Sequence, residues 1–221
     1  MLQLNVENER SARMNEITAI TPQVKDKRRC NIYVDGRFCC GLTLETAVKN
    51  RLKVGQIISL ERLAEIQLEC EKNVAFDKAL THISATQKTE REIRTFLTGK
   101  GYLSEVVDYV IEKLKGYDFI NDGMYAESYV ESAAKRKGGR LIRMELKRRG
   151  IGEAEIDGAL STICEEDEIA TATTILNKYM RGKPTDTQTL QKAYRYLIGK
   201  GFSYDTAKAA LGAYGEALDE E

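Results

Sequence analysis

The chain has 221 residues and a mass of 24.9 kDa, long enough to bury a core without disulfides or a structural metal. Hydrophobic residues make up 42% and charged residues 31%, with only two prolines, which excludes disorder over most of the length. Lys and Arg number 34 and Asp and Glu 34, so the formal charge of zero excludes a global positive field, and any charge-driven binding must come from a local patch.

The opening MLQLNVENERSARM is too polar for a secretory leader and reads as a disordered start. Residues 17–20 and 29–34 are β-rich, and the second run leads through Asp35-Gly36, a pair that favours a type I′ hairpin turn, into Arg37-Phe-Cys-Cys40. A short helix is predicted from Thr43 to Arg51 with Thr43 as its N-cap, followed by an extended piece over 56–59. Residues 1–60 therefore form a small β-rich N-terminal domain, with ten basic against six acidic residues.

From about Glu61 strand signals stop and helical periodicity begins. Three helix-ending glycines, Gly101, Gly150 and Gly201, stand 49 and 51 residues apart. Around them Ile93/Ile142/Ala193, Leu97/Leu146/Leu197 and Tyr102/Ile151/Phe202 keep apolar character in register, as do Val107/Ile156/Ala207 and Ile111/Leu160/Leu211 beyond. Each glycine is expected at the C′ position of one helix, with φ > 0, and the apolar residue after it packs back on the pair. A further helix precedes each pair, at roughly 61–82, 122–135 and 165–180. The prediction is three tandem three-helix repeats, over 61–121, 122–164 and 165–221. Repeats of about fifty residues bury little alone, so they are expected to stack into a curved, elongated array. On this division a chain of residues 61–221 should fold without the sheet.

No apolar run approaches the ~20 residues of a membrane-spanning helix, and a cytoplasmic, monomeric protein without membrane contact is the expectation. Cys30, Cys39, Cys40, Cys70 and Cys164 are odd in number and hold no CxxC pair, so they read as reduced, buried thiols. With one histidine, His82, the usual zinc sets and histidine triads cannot be assembled. Gly36-Arg-Phe-Cys-Cys-Gly41-Leu42-Thr43 has P-loop glycine spacing, but Leu42 stands where the lysine must be. The acids Glu165-Glu-Asp-Glu168 fit a solvated helix start better than a metal site. No cofactor, metal or catalytic set is predicted.

The most informative stretch is residues 135–149, with eight basic residues and one acid among fifteen. Arg140, Arg143 and Lys147 share one helical face while Ile142 and Leu146 lie on another. A docking surface for phosphate or an acidic partner is expected at Arg136, Lys137, Arg140, Arg143, Lys147 and Arg148; the bland alternative is a solvated basic helix. Asp122 sits where an N-cap belongs for the helix it begins, and Tyr125 would turn its ring onto a neighbouring helix.

Phe119-Ile-Asn-Asp122-Gly-Met-Tyr125-Ala126, then Gly138-Gly-Arg-Leu-Ile-Arg-Met-Glu-Leu146-Lys-Arg-Arg-Gly150-Ile151, resembles the central signature of the RecX family of bacterial regulators of the RecA recombinase. The resemblance covers about residues 85–215, and the hairpin at Ile32–Phe38 is similar to an extension that some members carry. Two features depart from the family pattern: no proline stands at Gly139 or Arg140, and the third repeat is alanine-rich. The resemblance implies a non-enzymatic modulator that binds along RecA filaments on single-stranded DNA and inhibits strand exchange and ATP turnover. A direct DNA-binding protein is the alternative reading.

Overall fold

A computed structural model describes residues 14–215; the expected disordered start lies outside the described residues. In chain order the elements are β1 (Met14–Pro22), β2 (Arg29–Val34), β3 (Arg37–Thr43), α1 (Leu44–Lys49), β4 (Ile57–Ser59), α2 (Leu60–Ile83), α3 (Glu90–Gly99) and α4 (Ser104–Gly116). They continue with α5 (Asp122–Ala133), α6 (Gly139–Arg148), α7 (Glu153–Leu160), α8 (Glu165–Met180), α9 (Thr187–Gly199) and α10 (Tyr204–Gly215). This is the mostly α architecture of three-helix repeats behind a β-rich N-terminal segment that the periodicity predicted. By internal contacts the chain divides into two units, one holding described residues 14–82 and 97–113, the other 83–96 and 114–215.

In the first unit the strands form an antiparallel sheet ordered β3-β2-β1-β4. The hairpin between β2 and β3 turns at Asp35 and Gly36, whose φ values of 48° and 78° are those of a type I′ turn. Burial alternates along β2, so Cys30, Ile32 and Val34 face inward while the residues between them are only partly covered. Thr43 caps α1 as predicted, its Oγ1 accepting from the Thr46 amide at 3.1 Å.

The core under this sheet is not closed by the strands. Ile17, Cys30, Ile32, Cys40, Leu42 and Ile58 pack with Leu63, Ile66 and Cys70 of α2. Four strands of three to nine residues leave one face bare, and the first half of α2 covers it. Removing residues 1–60 would therefore expose Leu63 and Ile66, each now at most 2% accessible, at roughly 1.5–3 kcal/mol per side chain. We expect a chain of residues 61–221 to keep helical circular dichroism but to bind an apolar dye and aggregate, and Leu63→Glu with Ile66→Lys to restore its solubility. Full solubility of the unsubstituted fragment would contradict this role of α2.

In the second unit each of the last two repeats has its own core: Ala126, Val130, Ile142, Leu146, Ile151 and Ile156 in one, Ala172, Leu176, Ala193, Leu197, Phe202 and Ala207 in the other. The repeated glycines have φ of +88° (Gly101), +87° (Gly150) and +90° (Gly201). All three turns carry one bonding pattern: Tyr102 N–H to Leu97 C=O at 3.3 Å, Ile151 to Leu146 at 3.2 Å, and Phe202 to Leu197 at 3.3 Å. With the glycine N–H bonding three residues back, these are Schellman turns, which the left-handed glycine makes possible.

The turns also join repeats. Gly138 N–H donates to Lys200 C=O at 3.0 Å and Arg140 N–H to Gly201 C=O at 3.1 Å, so the start of α6 is bonded to the turn between α9 and α10. One repeat earlier Thr89 Oγ1 donates to Arg149 C=O at 2.8 Å, with Arg91 packed over Gly150. Gly138 and Thr89 are 49 residues apart, the same interval that separates Gly150 from Gly101.

Candidate functional site

The basic helix α6 starts at Gly138, which has no side chain to cap it, and Glu168 of α8 supplies the missing acceptor: its Oε1 takes the Gly139 N–H at 2.8 Å. The fourth acid of Glu165-Glu-Asp-Glu168 is thus a cap for a helix in the preceding repeat, not only part of a solvated helix start. Asp122 does the same for α3, and this corrects its expected place. Asn121 is the N-cap of α5, accepting from Met124 N–H at 3.1 Å, while Asp122 Oδ1 accepts from the Glu90 amide at 2.9 Å. Burial raises the Asp122 carboxyl above its ordinary value, more than the Glu90 hydrogen bond lowers it.

Tyr125 stacks on Tyr129 with ring centroids 6.3 Å apart, and the Arg149 guanidinium lies 5.8 Å and 5.4 Å from the two rings. Arg149 also pairs with Glu92 of α3 at 3.0 Å. The Tyr-Ala segment and the last basic residue of the signature therefore bind α5, α6 and α3 together.

The six expected docking residues divide in two. Lys137 Nζ donates to both oxygens of Glu145 at 2.6 and 2.7 Å, Arg143 bonds Glu153 at 2.9 Å and Asp157 at 2.5 Å, and Lys147 pairs with Glu153. The positive face of α6 is therefore partly neutralised by α7, an acid-for-base match across a turn that single-helix periodicity does not reveal. Arg136, Arg140 and Arg148 are exposed and form no ion pair among the described residues, although Arg140 lies 5.2 Å from the Tyr204 ring. Arg140 and Arg143 also line an open cleft of about 360 Å³ with Leu160, Cys164 and Glu168.

Glu145 is the acid inside the basic run. Burial opposes its ionisation, but hydrogen bonds from Lys137 and from Tyr129 Oη (2.6 Å) and the charges of Lys137 and Arg149 outweigh it, holding the carboxyl below the ordinary 4.5. A depressed native value makes its contribution present above 4.5 and lost as pH falls through the lower, folded value. Glu145→Gln should therefore lower the melting temperature at pH 7 and flatten its decline between about pH 5 and 3; parallel wild-type and variant curves would contradict this.

Cys30, Cys40 and Cys70 are buried as expected, whereas Cys39 and Cys164 are exposed. Burial lifts the Cys40 thiol to about 12, far from a reactive thiolate. Cys164 occupies the N-cap position of α8, with its Sγ 3.0 Å from Asp167 Oδ2. Among the described residues no helix is long and apolar enough to cross a membrane, and no group of three or more His, Cys, Asp or Glu is placed to hold a metal ion.

Four RecX domains match this chain in order: the regulatory protein RecX N-terminal domain over residues 15–59, and the first, second and third three-helix domains over 75–114, 121–160 and 165–211. The chain belongs to the RecX family of regulatory proteins. It is 35% identical to regulatory protein RecX of Clostridium perfringens over 202 residues, covering 90% of this chain and 95% of the relative. To that of Clostridium tetani it is 30% identical over 205 residues, 91% and 95% of the two chains. A RecX crystal structure matches with a TM-score of 0.67 at 30% identity over 88% of this chain and 97% of the other. A second, RecX from Lactobacillus salivarius, gives 0.62 at 26% identity over 66% and 97%. Within this RecX frame the basic helix belongs to the second three-helix domain.

Another basic surface lies outside the six expected docking residues. Residues 178–202 in the third RecX domain hold six basic residues and one acid, Asp186. That composition is legible in the sequence, but the apolar positions that align this alanine-rich repeat with the other two carry no sign of it.

Proposed function

We propose that this protein regulates the RecA recombinase by binding RecA filaments on single-stranded DNA and inhibiting ATP turnover and strand exchange, without chemistry of its own. The observation that carries this is the run of RecX domain matches from residue 15 to 211. Inhibition by occupancy needs only a surface, and Arg136, Arg140 and Arg148, which form no ion pair among the described residues, supply a positive one for acidic protein or for the phosphates of the filament. Lys137, Arg143 and Lys147 serve that surface indirectly, by fixing α6 against α5 and α7. In this reading the regulator acts in the cytoplasm as a single copy.

The test is co-sedimentation of the full chain with RecA assembled on single-stranded DNA, beside naked DNA at the same salt. Retention on the filament well above that on naked DNA is expected. Equal retention on both would favour the direct DNA-binding reading, and none on either would remove the proposal.

A further inference from the structure

The last turn of α8, the loop after it and α9 bring Lys178, Arg181, Lys183, Lys192, Arg195 and Lys200 into a stretch of twenty-five residues whose one acid is Asp186. None of these six cations is in an ion pair among the described residues, in contrast to Arg143 and Lys147 on α6. All but Lys200 are exposed. Asp186 does not neutralise them by contact: it caps α9, its Oδ1 accepting from the Thr189 amide at 2.7 Å.

Two tyrosines sit among these charges. Tyr179 of α8 and Tyr196 of α9 stack with centroids 4.5 Å apart and planes inclined by 21°. Lys183 Nζ lies 3.2 Å from the Tyr179 ring centroid and Lys200 Nζ 5.4 Å from that of Tyr196. Tyr196 is 36% accessible, and Lys192 stands four residues before it on the same face of α9. A surface aromatic ring, already backed by a second ring, is thus bordered by ammonium groups that have no carboxylate partner among the described residues.

We propose that this face of the third repeat binds single-stranded nucleic acid, one base stacking on Tyr196 and the lysines and arginines around it neutralising successive phosphates. Cations alone would suit any anion. The ring stack selects a nucleic acid over an acidic protein, because every base offers a π-face, and a single strand over a duplex, where those faces are already stacked. The site needs no base-specific donor and is expected to be tolerant of sequence. It stands on observations separate from those behind the filament reading and goes beyond it.

The experiment is fluorescence anisotropy of a labelled twenty-nucleotide oligo-dT with the full-length protein across a salt series, without RecA. Tyr196→Ala should weaken binding on the order of tenfold, while Tyr196→Phe, which keeps the ring, should bind as wild type. Lys183→Gln, Lys192→Gln and Lys200→Gln together should reduce the slope of log affinity against log salt by about 2, at 0.7 per phosphate released. These are surface changes, and circular dichroism with melting confirms that each variant is folded. Absence of oligonucleotide binding by wild type at low salt, or wild-type affinity and slope in the variants, would overturn the proposal. So would equal binding of poly-glutamate with the same dependence on Tyr196, which would assign the face to an acidic protein. Because RecA is absent, failure here leaves the filament proposal standing, and loss of filament binding with intact oligonucleotide binding would do the reverse.

Discussion

Alanine at Gly201 is expected to lower stability by roughly 2–5 kcal/mol, the sum of a left-handed backbone penalty and an overpacked contact. A Cβ built there falls well inside van der Waals contact with Leu141, including its backbone nitrogen, at the first turn of α6. Gly150→Ala should cost less, because the side chain it meets, Arg91, can shift part of the way. Gly101→Ala meets no atom within 4 Å and should cost only the backbone term, about 1–2 kcal/mol. The three glycines share φ within a few degrees, so a graded loss in thermal melting, Gly201 over Gly150 over Gly101, would isolate the contribution of the junction between repeats. Gly138→Ala has ordinary φ and yet meets the Gly201 and Phe202 backbone, so it should fall near Gly201→Ala. Equal losses at all positions would show that the turns matter only as turns.

The glycine turns were legible because their apolar neighbours repeat at nearly constant spacing, and Leu97, Leu146 and Leu197 are each fully buried. The second role of those turns was not. Thr89 and Gly138 hold the neighbouring turn through a side-chain hydroxyl in one case and a backbone amide in the other, so no residue type repeats for a reader to find. The change from strands to helices at residue 60, between β4 and α2, was visible as a change of period from two to 3.6. The use of Leu63, Ile66 and Cys70 to close the sheet's core was not, since a helix stripe does not name its partner. On α6 the positive stripe was legible, but its partial neutralisation rests on Glu153 and Asp157 in the next helix. A charge count over one segment cannot include an acid that folding brings back.

That neutralisation sets the second large expected effect. Replacing Arg136, Arg140 and Arg148 by alanine removes three cations that have no acid partner among the described residues and should weaken filament association at least tenfold, with a shallower salt dependence. Replacing Arg143 and Lys147 removes two whose charge is already met by Glu153 and Asp157, and the loss should be several-fold smaller. Surface substitutions such as these usually stay within ~0.5 kcal/mol each in stability, so matched melting temperatures would tie the difference to docking. A larger loss from the Arg143 and Lys147 pair would mean that the ion pairs open on binding and that the paired face of α6 is the one that docks.

The proposed action of this RecX-family chain is occupancy of the RecA filament. The most direct measurement is steady-state ATP hydrolysis by RecA on single-stranded DNA as the full-length protein is titrated in, with its binding to the same DNA without RecA followed at the same salt. Hydrolysis should fall at protein concentrations where naked DNA is still largely unbound, and the Arg136, Arg140 and Arg148 variant should shift this fall to higher concentration. Hydrolysis that stays constant while the protein saturates naked DNA would contradict it.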